Sequence, residues 1–328
     1  MVSIFLLLLF MLCLQSVALA TPTPTPTAAP GSGPYSVNSV SINVTALDQT
    51  DPTLWVVYPN GKAGEKFPLL AYSHGLLGGG IDLLGYAELF SQMASWGFIV
   101  AAPFSCNTGC TDASKGAPWT ACAGVLDVQP ANMGWGQYYG EIIKAIDFAR
   151  NDSAANPIGV FGNVDWSVGV GIVGHSMGGQ AAALASIETC TKQYDIRASV
   201  LHHPASGDIV TVGGGTYNIG RNASVPMLVM TSSGDFIWPY SKAIATALPT
   251  GVFSTGYRDE TGWSHLEPVL APPIENPLLA TYTAAWFKVF LNGDKGAFYD
   301  AVFGKGPDAM CTHANMTECW TYPPKGSL

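Results

Sequence analysis

Gly174-His175-Ser176-Met177-Gly178-Gly179 follows directly on a β-prone run at residues 168–173 and precedes an alanine-rich run at residues 181–185. A Gly-x-Ser-x-Gly sequence between a strand and a helix is typical of a nucleophile elbow, a tight turn that holds its serine in a strained backbone conformation. The glycines on either side of Ser176 lack a Cβ, so the strand and the helix can pack closely. The stretch therefore predicts a buried strand, a helix and a nucleophilic serine between them.

Outward from this turn, apolar runs and helix-like stretches alternate along the chain. Short apolar runs that are typical of strands lie at residues 40–44, 54–58, 67–72, 98–102, 198–201 and 226–230. Stretches with helical spacing lie at residues 83–95, 138–150 and 277–291. Because strands alternate with helices, the sequence predicts an α/β fold with a mostly parallel central sheet and helices on both faces.

The two ends of the chain differ in composition from its middle. Residues 1–20 resemble a secretory signal peptide, because an apolar run leads to the small-x-small cleavage sequence Ala18-Leu19-Ala20. Residues 21–34 form a Thr/Pro-rich linker, and residues 35–328 are assigned to one α/β domain. We therefore expect a secreted, extracellular protein with no stable membrane anchor.

Charge and cysteine usage narrow the class of partner. The formal net charge is −9 and only 11% of the residues are charged, so no basic patch is present for nucleic acid or anionic membrane.

Removal of a signal peptide would leave six cysteines, an even number that implies disulfides, and proximity suggests the pair Cys311 and Cys319. No Cys-x-x-Cys or His-x-x-x-His spacing indicates a zinc site. Candidate glycosylation sequons lie at Asn43, Asn151, Asn222 and Asn315.

A serine hydroxyl needs a histidine base, and the histidine needs a carboxylate to orient it. In folds built around this elbow, the acid and then the histidine follow the serine in chain order, each after a strand. Asp235 follows the strand-like run at residues 226–230, and His265 is the only histidine between Asp235 and the last predicted helix. We therefore predict Ser176 as nucleophile, Asp235 as acid and His265 as base.

The choice of acid leaves alternatives open. Asp235 could instead cap the helix that begins near Pro239, a common role for aspartate. Asp208, Asp259 and Glu260 are rival acids, although Asp208 follows an earlier strand and the other two crowd the histidine segment. The chain-order rule favours Asp235 over all three.

The other histidines fit the role of base less well. His74 precedes the serine, against the chain-order rule, and His313 lies in the C-terminal tail. His202 and His203 are expected to be polar residues at a strand end, and His175 is expected to support the turn.

An oxyanion hole needs two backbone N–H groups aimed at the developing negative charge. The residue after the nucleophile, Met177, supplies the first in such elbows, and the loop after the third strand supplies the second. That loop begins Ser73-His74-Gly75-Leu76 and continues to three glycines at residues 78–80, so we expect Leu76 to donate the second N–H.

These segments carry a family resemblance. Residues 73–76, 95–103 and 174–179 look like the corresponding segments of chlorophyllases, platelet-activating-factor acetylhydrolases and polyester-degrading cutinases, a branch of the α/β-hydrolase superfamily. Residues 234–239 and 262–265 resemble the acid and base segments of the cutinase group. The resemblance covers roughly residues 67–291. It implies the α/β-hydrolase fold and ester hydrolysis through an acyl-enzyme, with no metal or organic cofactor.

The same fold would line the cleft with apolar side chains. Leu77, Trp238 and Trp263 are the predicted substrate-binding residues, beside Leu76 and Met177. Such a lining favours an uncharged, hydrophobic ester, either a small molecule or a polymer, and we expect a monomer. An acyltransferase that uses the same residues is one alternative, and a non-catalytic binding or adhesion member of the fold is another. A peptidase is a third, although nothing in the sequence specifies an amide substrate.

Overall fold

The computed structural model describes residues 32–45, 47, 52–75, 84–104, 135–205, 209–212, 215–249, 251–256, 265–270 and 277–322. The predicted signal peptide and nearly all of the predicted linker lie outside these ranges, as does the cysteine-containing segment at residues 106–122. Among the described helices, none is both long enough and apolar enough to span a bilayer.

Eleven strands are described. Their bounds are β1 Val37–Asn43, β2 Thr53–Pro59, β3 Leu69–Ser73, β4 Ile99–Pro103, β5 Val170–His175, β6 Ile196–His202, β7 Ile209–Val212, β8 Gly215–Asn218, β9 Met227–Ser232, β10 Gly251–Gly256 and β11 Met316–Tyr322.

Nine α-helices are described between these strands. Their bounds are α1 Ala87–Ser95, α2 Trp135–Ala155, α3 Met177–Ala185, α4 Glu188–Tyr194, α5 Ile219–Asn222, α6 Trp238–Ala247, α7 Glu267–Leu270, α8 Pro277–Phe290 and α9 Ala297–Phe303.

Nine of the described strands form one sheet in the order β1-β2-β4-β3-β5-β6-β9-β10-β11. The six strands from β4 to β10 in this order run parallel, whereas β1, β2 and β11 add antiparallel edges. The predicted mostly parallel sheet is therefore confirmed. Because the central strands run the same way, the loops that follow β3, β5, β6 and β9 all leave from one edge of the sheet, where ligands bind in open α/β sheets.

Two apolar layers cover the two faces of this sheet. Alternate residues of each central strand point to opposite faces, so Leu69 of β3 belongs to one layer and Leu70 to the other. The first layer packs against α2, α3 and α6, and the second packs against α1, α8 and α9. Helices lie on both faces, as the sequence predicted, and every residue of β3 and β4 is buried between them.

The turn between β5 and α3 has the strained geometry expected of a nucleophile elbow. Ser176 has φ 57° and ψ −119°, a backbone conformation that non-glycine residues rarely adopt. A Cβ added at Gly174 would lie 2.0 Å from the carbonyl oxygen of Gly178, and one added at Gly178 would lie 2.2 Å from that of Ser73. The glycines of the motif are therefore required by close backbone contacts.

Replacing Gly174 with alanine is expected to lower the free energy of unfolding by about 3 kcal/mol or more, because the clash is with backbone that cannot move aside. Thermal unfolding followed by circular dichroism measures this. Gly306→Ala is the matched control, since no atom lies within 4 Å of a Cβ added there. Equal melting temperatures for the two variants would contradict the packing argument.

The edge of the sheet carries two strands that the sequence did not reveal. Both β10 and β11 lack a continuous apolar run, and they pair with each other at the end of the sheet. The disulfide predicted between Cys311 and Cys319 is confirmed. It links the segment that precedes β11, where Cys311 lies, to Cys319 within the strand.

Candidate active site

Three chain segments bring the predicted nucleophile, acid and base to the carboxyl edge of the sheet. Ser176 follows β5, Asp235 lies in the turn between β9 and α6, and His265 lies just before α7. The Ser176 N–H donates to the His202 carbonyl oxygen at the end of β6, over 3.0 Å. That bond fixes the elbow to the neighbouring strand.

The three side chains form one chain of hydrogen bonds. His265 Nε2 lies 2.8 Å from Ser176 Oγ, and His265 Nδ1 lies 3.0 Å from Asp235 Oδ2. A carboxylate only accepts, so Nδ1 carries the proton, and Nε2 is left to accept the proton of the serine hydroxyl. This arrangement can draw a proton from Ser176 as its oxygen attacks an electrophile.

Asp235 also makes the local bond expected of a turn residue. Its Oδ1 accepts the N–H of Ile237 over 3.0 Å, next to the start of α6. Asp235 does not cap α6, because the N-cap residue of that helix is Ile237 and no side chain makes a cap hydrogen bond there. One oxygen of Asp235 closes the turn and the other accepts from the histidine. Burial favours a higher pKa for Asp235, but hydrogen bonds from His203 and His265 outweigh it and hold this pKa well below its usual range. The rival acids Asp208, Asp259 and Glu260 lie outside the described residues.

His203 is a member of this cluster that the sequence did not single out. Its Nδ1 lies 2.6 Å from Asp235 Oδ2, the same oxygen that accepts from His265, and its Nε2 lies 3.0 Å from Glu267 Oε2. All the side-chain atoms of His203 are buried. The expectation of a simple polar residue at a strand end was therefore incomplete. The contacts join positions 32 and 64 residues apart, and no local pattern encodes such a separation.

His175 supports the elbow, as expected. Its Nε2 lies 2.7 Å from the carbonyl oxygen of His265, so Nε2 donates. Its Nδ1 accepts from the Tyr86 hydroxyl over 2.6 Å, and that hydroxyl accepts the Gly75 N–H over 3.0 Å. Burial lowers the pKa of His175 well below its usual value, which agrees with a neutral ring. The elbow, the loop after β3 and the base are thus joined by one set of bonds.

Met177 is the first residue of α3, and its N–H is one of the amide groups that a helix start leaves without an intrahelical acceptor. This position suits the predicted role in an oxyanion hole. The second predicted donor, Leu76, lies outside the described residues, and so do Leu77 and Trp263. Trp238 begins α6 and packs against the core, with Lys242 Nζ 4.9 Å from its ring centroid. Its contact with substrate stays a prediction.

Three of the five exposed large apolar side chains in the described part of the chain lie next to the acid or the base in the sequence or on α6. Phe236 is 78% exposed and its ring centroid lies 5.0 Å from that of His265. Leu266, next to His265, is 41% exposed, and Tyr240 on α6 is 51% exposed. Such a patch is typical of a surface that meets apolar material. The sequence signal was available, because both Phe236 and Leu266 directly follow a predicted catalytic residue.

His203, Asp235 and His265 offer ligand atoms within 4.8 Å of one another, which is the spacing of a possible metal site. The His203 and Asp235 atoms are only 2.6 Å apart, however, whereas ligands about 2.1 Å from a tetrahedral zinc ion lie about 3.4 Å from each other. The spacing fits a proton between nitrogen and oxygen better than it fits a metal ion.

Known proteins give partial matches. No family model matches the chain. Cutinase 2 of Thermobifida cellulosilytica is 26% identical over 160 residues, which are 47% of this chain and 52% of that protein. Cutinase cut1 of Thermobifida fusca is 26% identical over 47% of this chain and 42% of its own length. A bis(hydroxyethyl) terephthalate hydrolase of Streptomyces coelicolor is 24% identical over 268 residues, which are 80% of this chain and 69% of that protein.

The chain thus spans about half the length of the two cutinases that it matches, and more than two thirds of the hydrolase. Sequence identities near 25% indicate a resemblance to these proteins but do not identify a substrate. The strand order and the elbow agree with it. The chain has the α/β-hydrolase fold, and it resembles the cutinase and polyester-hydrolase branch of the proteins with that fold.

Proposed function

We propose that this protein is a serine carboxylic-ester hydrolase that acts on uncharged, hydrophobic esters through an acyl-enzyme. One observation carries the proposal: the unbroken hydrogen-bond chain from Ser176 Oγ through His265 to Asp235, at a strained elbow. The names of the matched cutinases and of the matched hydrolase support ester chemistry.

In the proposed reaction, Ser176 Oγ bonds to the ester carbonyl carbon while its proton passes to His265 Nε2. Asp235 holds the imidazole and stabilises its positive charge, and the Met177 N–H stabilises the oxyanion with a second donor, for which Leu76 is proposed. The carbon–oxygen bond to the alcohol then breaks, and the alcohol leaves with the proton from His265. Water, deprotonated by His265, attacks the acyl carbon. The bond from that carbon to Ser176 Oγ then breaks, the acid leaves, and His265 returns the proton to Ser176 Oγ.

The proposed preference for an apolar ester depends on the exposed apolar side chains near the acid and the base. Phe236 and Leu266, next to the acid and the base in the chain, and Tyr240 on α6 present exposed apolar surface. A hydrophobic acyl or alcohol group that covered this surface would gain the free energy of removing it from water. We include Trp238 and, from the sequence, Leu77 and Trp263 in the proposed binding surface.

Secretion is part of the proposal. The signal-like residues 1–20 and the disulfide between Cys311 and Cys319 favour an oxidising compartment. The candidate glycosylation sites all have exposed asparagines: Asn43, Asn151, Asn222 and Asn315. We propose a monomeric, extracellular glycoprotein without a stable membrane anchor.

The purified protein is expected to hydrolyse nitrophenyl esters, with kcat/KM higher for neutral acyl chains than for chains of matched length that end in a carboxylate. Nitrophenol release measures the rate, and chromatography of the products with and without an added alcohol measures the fate of the acyl group. Free acid as the main product supports hydrolysis. Transfer of most acyl groups to the alcohol would favour the acyltransferase, and no turnover of any ester would contradict the proposal.

A further inference from the structure

His203 lies between two buried carboxylates, and each ring nitrogen faces one of them. Nδ1 lies 2.6 Å from Asp235 Oδ2 and Nε2 lies 3.0 Å from Glu267 Oε2. Ionised carboxylates only accept hydrogen bonds, so both ring nitrogens must donate. The contacts therefore favour an imidazolium at His203, independently of the catalytic histidine.

The backbone of His203 shows that this position is held firmly. His203 has φ 47° and is one of three non-glycine residues with positive φ in the described part of the chain, another being Ser176. Its N–H donates to the Met230 carbonyl oxygen of β9 over 2.8 Å. A strained residue persists only where its surroundings fix it, and such residues are concentrated at functional sites.

The two carboxylates connect His203 to both loops of the proposed triad. Asp235 is the proposed acid, and Glu267 lies two residues after His265, in the same short segment. One side chain at the end of β6 therefore contacts the acid directly and the segment of the base through Glu267. The exposed fractions of His203, Asp235 and Glu267 are 0%, 4% and 3%, so water does not replace these bonds.

We infer that Asp235, His203 and Glu267 work as one unit, in which cationic His203 is a positioning residue that holds the acid in line with His265. The inference rests on the proposed function, since it assigns His203 a role in that same reaction. His203 touches no reacting atom; it acts through Asp235.

The net charge of Asp235, His203 and Glu267 shows that a cationic His203 leaves Asp235 able to stabilise a positive charge on His265. Two carboxylates and one imidazolium sum to one negative charge, the same charge that a lone Asp235 would present to His265. His203 can therefore fix the Asp235 side chain while the unit still stabilises a positive charge on His265 during the reaction. A cation at His203 without Glu267 would instead neutralise Asp235.

Two neighbouring histidines, His175 and His202, add little positive charge near His203. The ring centroids of His265 and His175 lie 5.9 and 6.3 Å from that of His203, and His202 precedes it. Burial lowers the pKa of His175 well below its usual value, and burial with the charge of His203 lowers that of His202 to about 3. Burial also acts to lower the pKa of His203, but the bonds to Asp235 and Glu267 outweigh it and raise this pKa to about 9.

The raised pKa of His203 predicts how kcat/KM depends on pH. Below about pH 9, His203 keeps both N–H donors; above it, the neutral ring keeps one, and one carboxylate faces a nitrogen lone pair. Asp235 is then held less firmly, so kcat/KM should fall on the alkaline side.

Two variants test the inference through pH profiles of nitrophenyl ester hydrolysis between about pH 5 and about pH 10. Glu267→Gln keeps an acceptor for Nε2 but removes a charge that raises the pKa of His203, so the alkaline fall should move to lower pH by about one unit. His203→Asn, chosen because asparagine tolerates positive φ, should lower kcat about tenfold or more at neutral pH and abolish the alkaline fall.

Glu188→Gln is the matched control, because Glu188 is an exposed carboxylate paired with Lys192 on α4. It should leave the profile unchanged, and a merely structural role for Glu267 would leave the Glu267→Gln profile unchanged as well. Thermal unfolding identifies a variant that has failed to fold. An alkaline fall that stays in place in Glu267→Gln, or native kcat in His203→Asn, would overturn the inference.

Nitrogen-15 NMR of labelled histidine separates this inference from the proposed function, because it needs no substrate. One histidine should remain doubly protonated up to about pH 9, and its signals should be missing in His203→Asn. Absence of such a histidine would overturn the charged unit even in an active esterase. If the signal is present but no ester is turned over, the proposed function fails, and the positioning role fails with it.

Discussion

Replacing Ser176 with alanine should lower kcat/KM for ester hydrolysis by about a millionfold, to the level left by binding and the oxyanion hole alone. Ser176 Oγ is the only triad atom that forms the covalent bond in the proposed reaction, and His265 Nε2 lies 2.8 Å from it with a free lone pair. Alanine removes the oxygen and changes nothing else in the elbow, so the fold should stay intact.

Nitrophenol release at saturating and limiting ester measures this effect, with a melting curve to show that the variant is folded. Ser186→Ala is a suitable control, because Ser186 is a buried serine at the end of α3 whose hydroxyl donates to the Ala182 carbonyl oxygen, outside the hydrogen-bond chain of the triad. Activity of the Ser176→Ala variant within tenfold of native would rule out the proposed mechanism.

Asp235→Asn should lower kcat by about ten-thousandfold. The native carboxylate accepts from three donors: Ile237 N–H at Oδ1, and His203 and His265 at Oδ2. An amide cannot satisfy this set, because its NH2 group must face either the Ile237 N–H or the two histidines. In either orientation the charge that stabilises His265 is lost, and one donor faces another donor.

The kcat of the Asp235→Asn variant, measured beside that of Asp195→Asn, tests this expectation. Asp195 is a fair match because its carboxylate is exposed, pairs with Arg197 and lies at positive φ, a conformation that asparagine accepts. The control should keep native kcat. A comparably small effect at Asp235 would mean that another acid orients His265.

The central fold was predictable because its strands are continuous apolar runs. Residues 67–72 and 98–102 predicted β3 and β4 to within two residues, since strands buried on both faces need apolar side chains throughout. Strands β10 and β11 escaped prediction because they form one edge of the sheet, where pairing depends on a partner far away in the chain. Gly251–Gly256 has few apolar residues, and its position follows from pairing with β9 and β11.

In the candidate site too, residues with a local sequence pattern were predictable, whereas residues that depend on long-range contacts were not. Chain order identified Ser176, Asp235 and His265, and the structure brings these three side chains together. His203 and Glu267 carry no sequence signature, because the contacts of His203 with Asp235 and with Glu267 arise only when β6, the β9–α6 turn and α7 meet at the sheet edge. Phe236 was overlooked in favour of Trp238, although Phe236 is the more exposed of the two and contacts His265.

Covalent labelling tests whether Ser176 is the nucleophile. The protein is treated with a fluorophosphonate, an ester-like reagent that remains bound to an activated serine, and is then digested and analysed by mass spectrometry. We expect one phosphonyl group per chain, on the peptide that contains Ser176, and none on the Ser176→Ala variant. A label on another residue, or equal labelling of the variant, would contradict it.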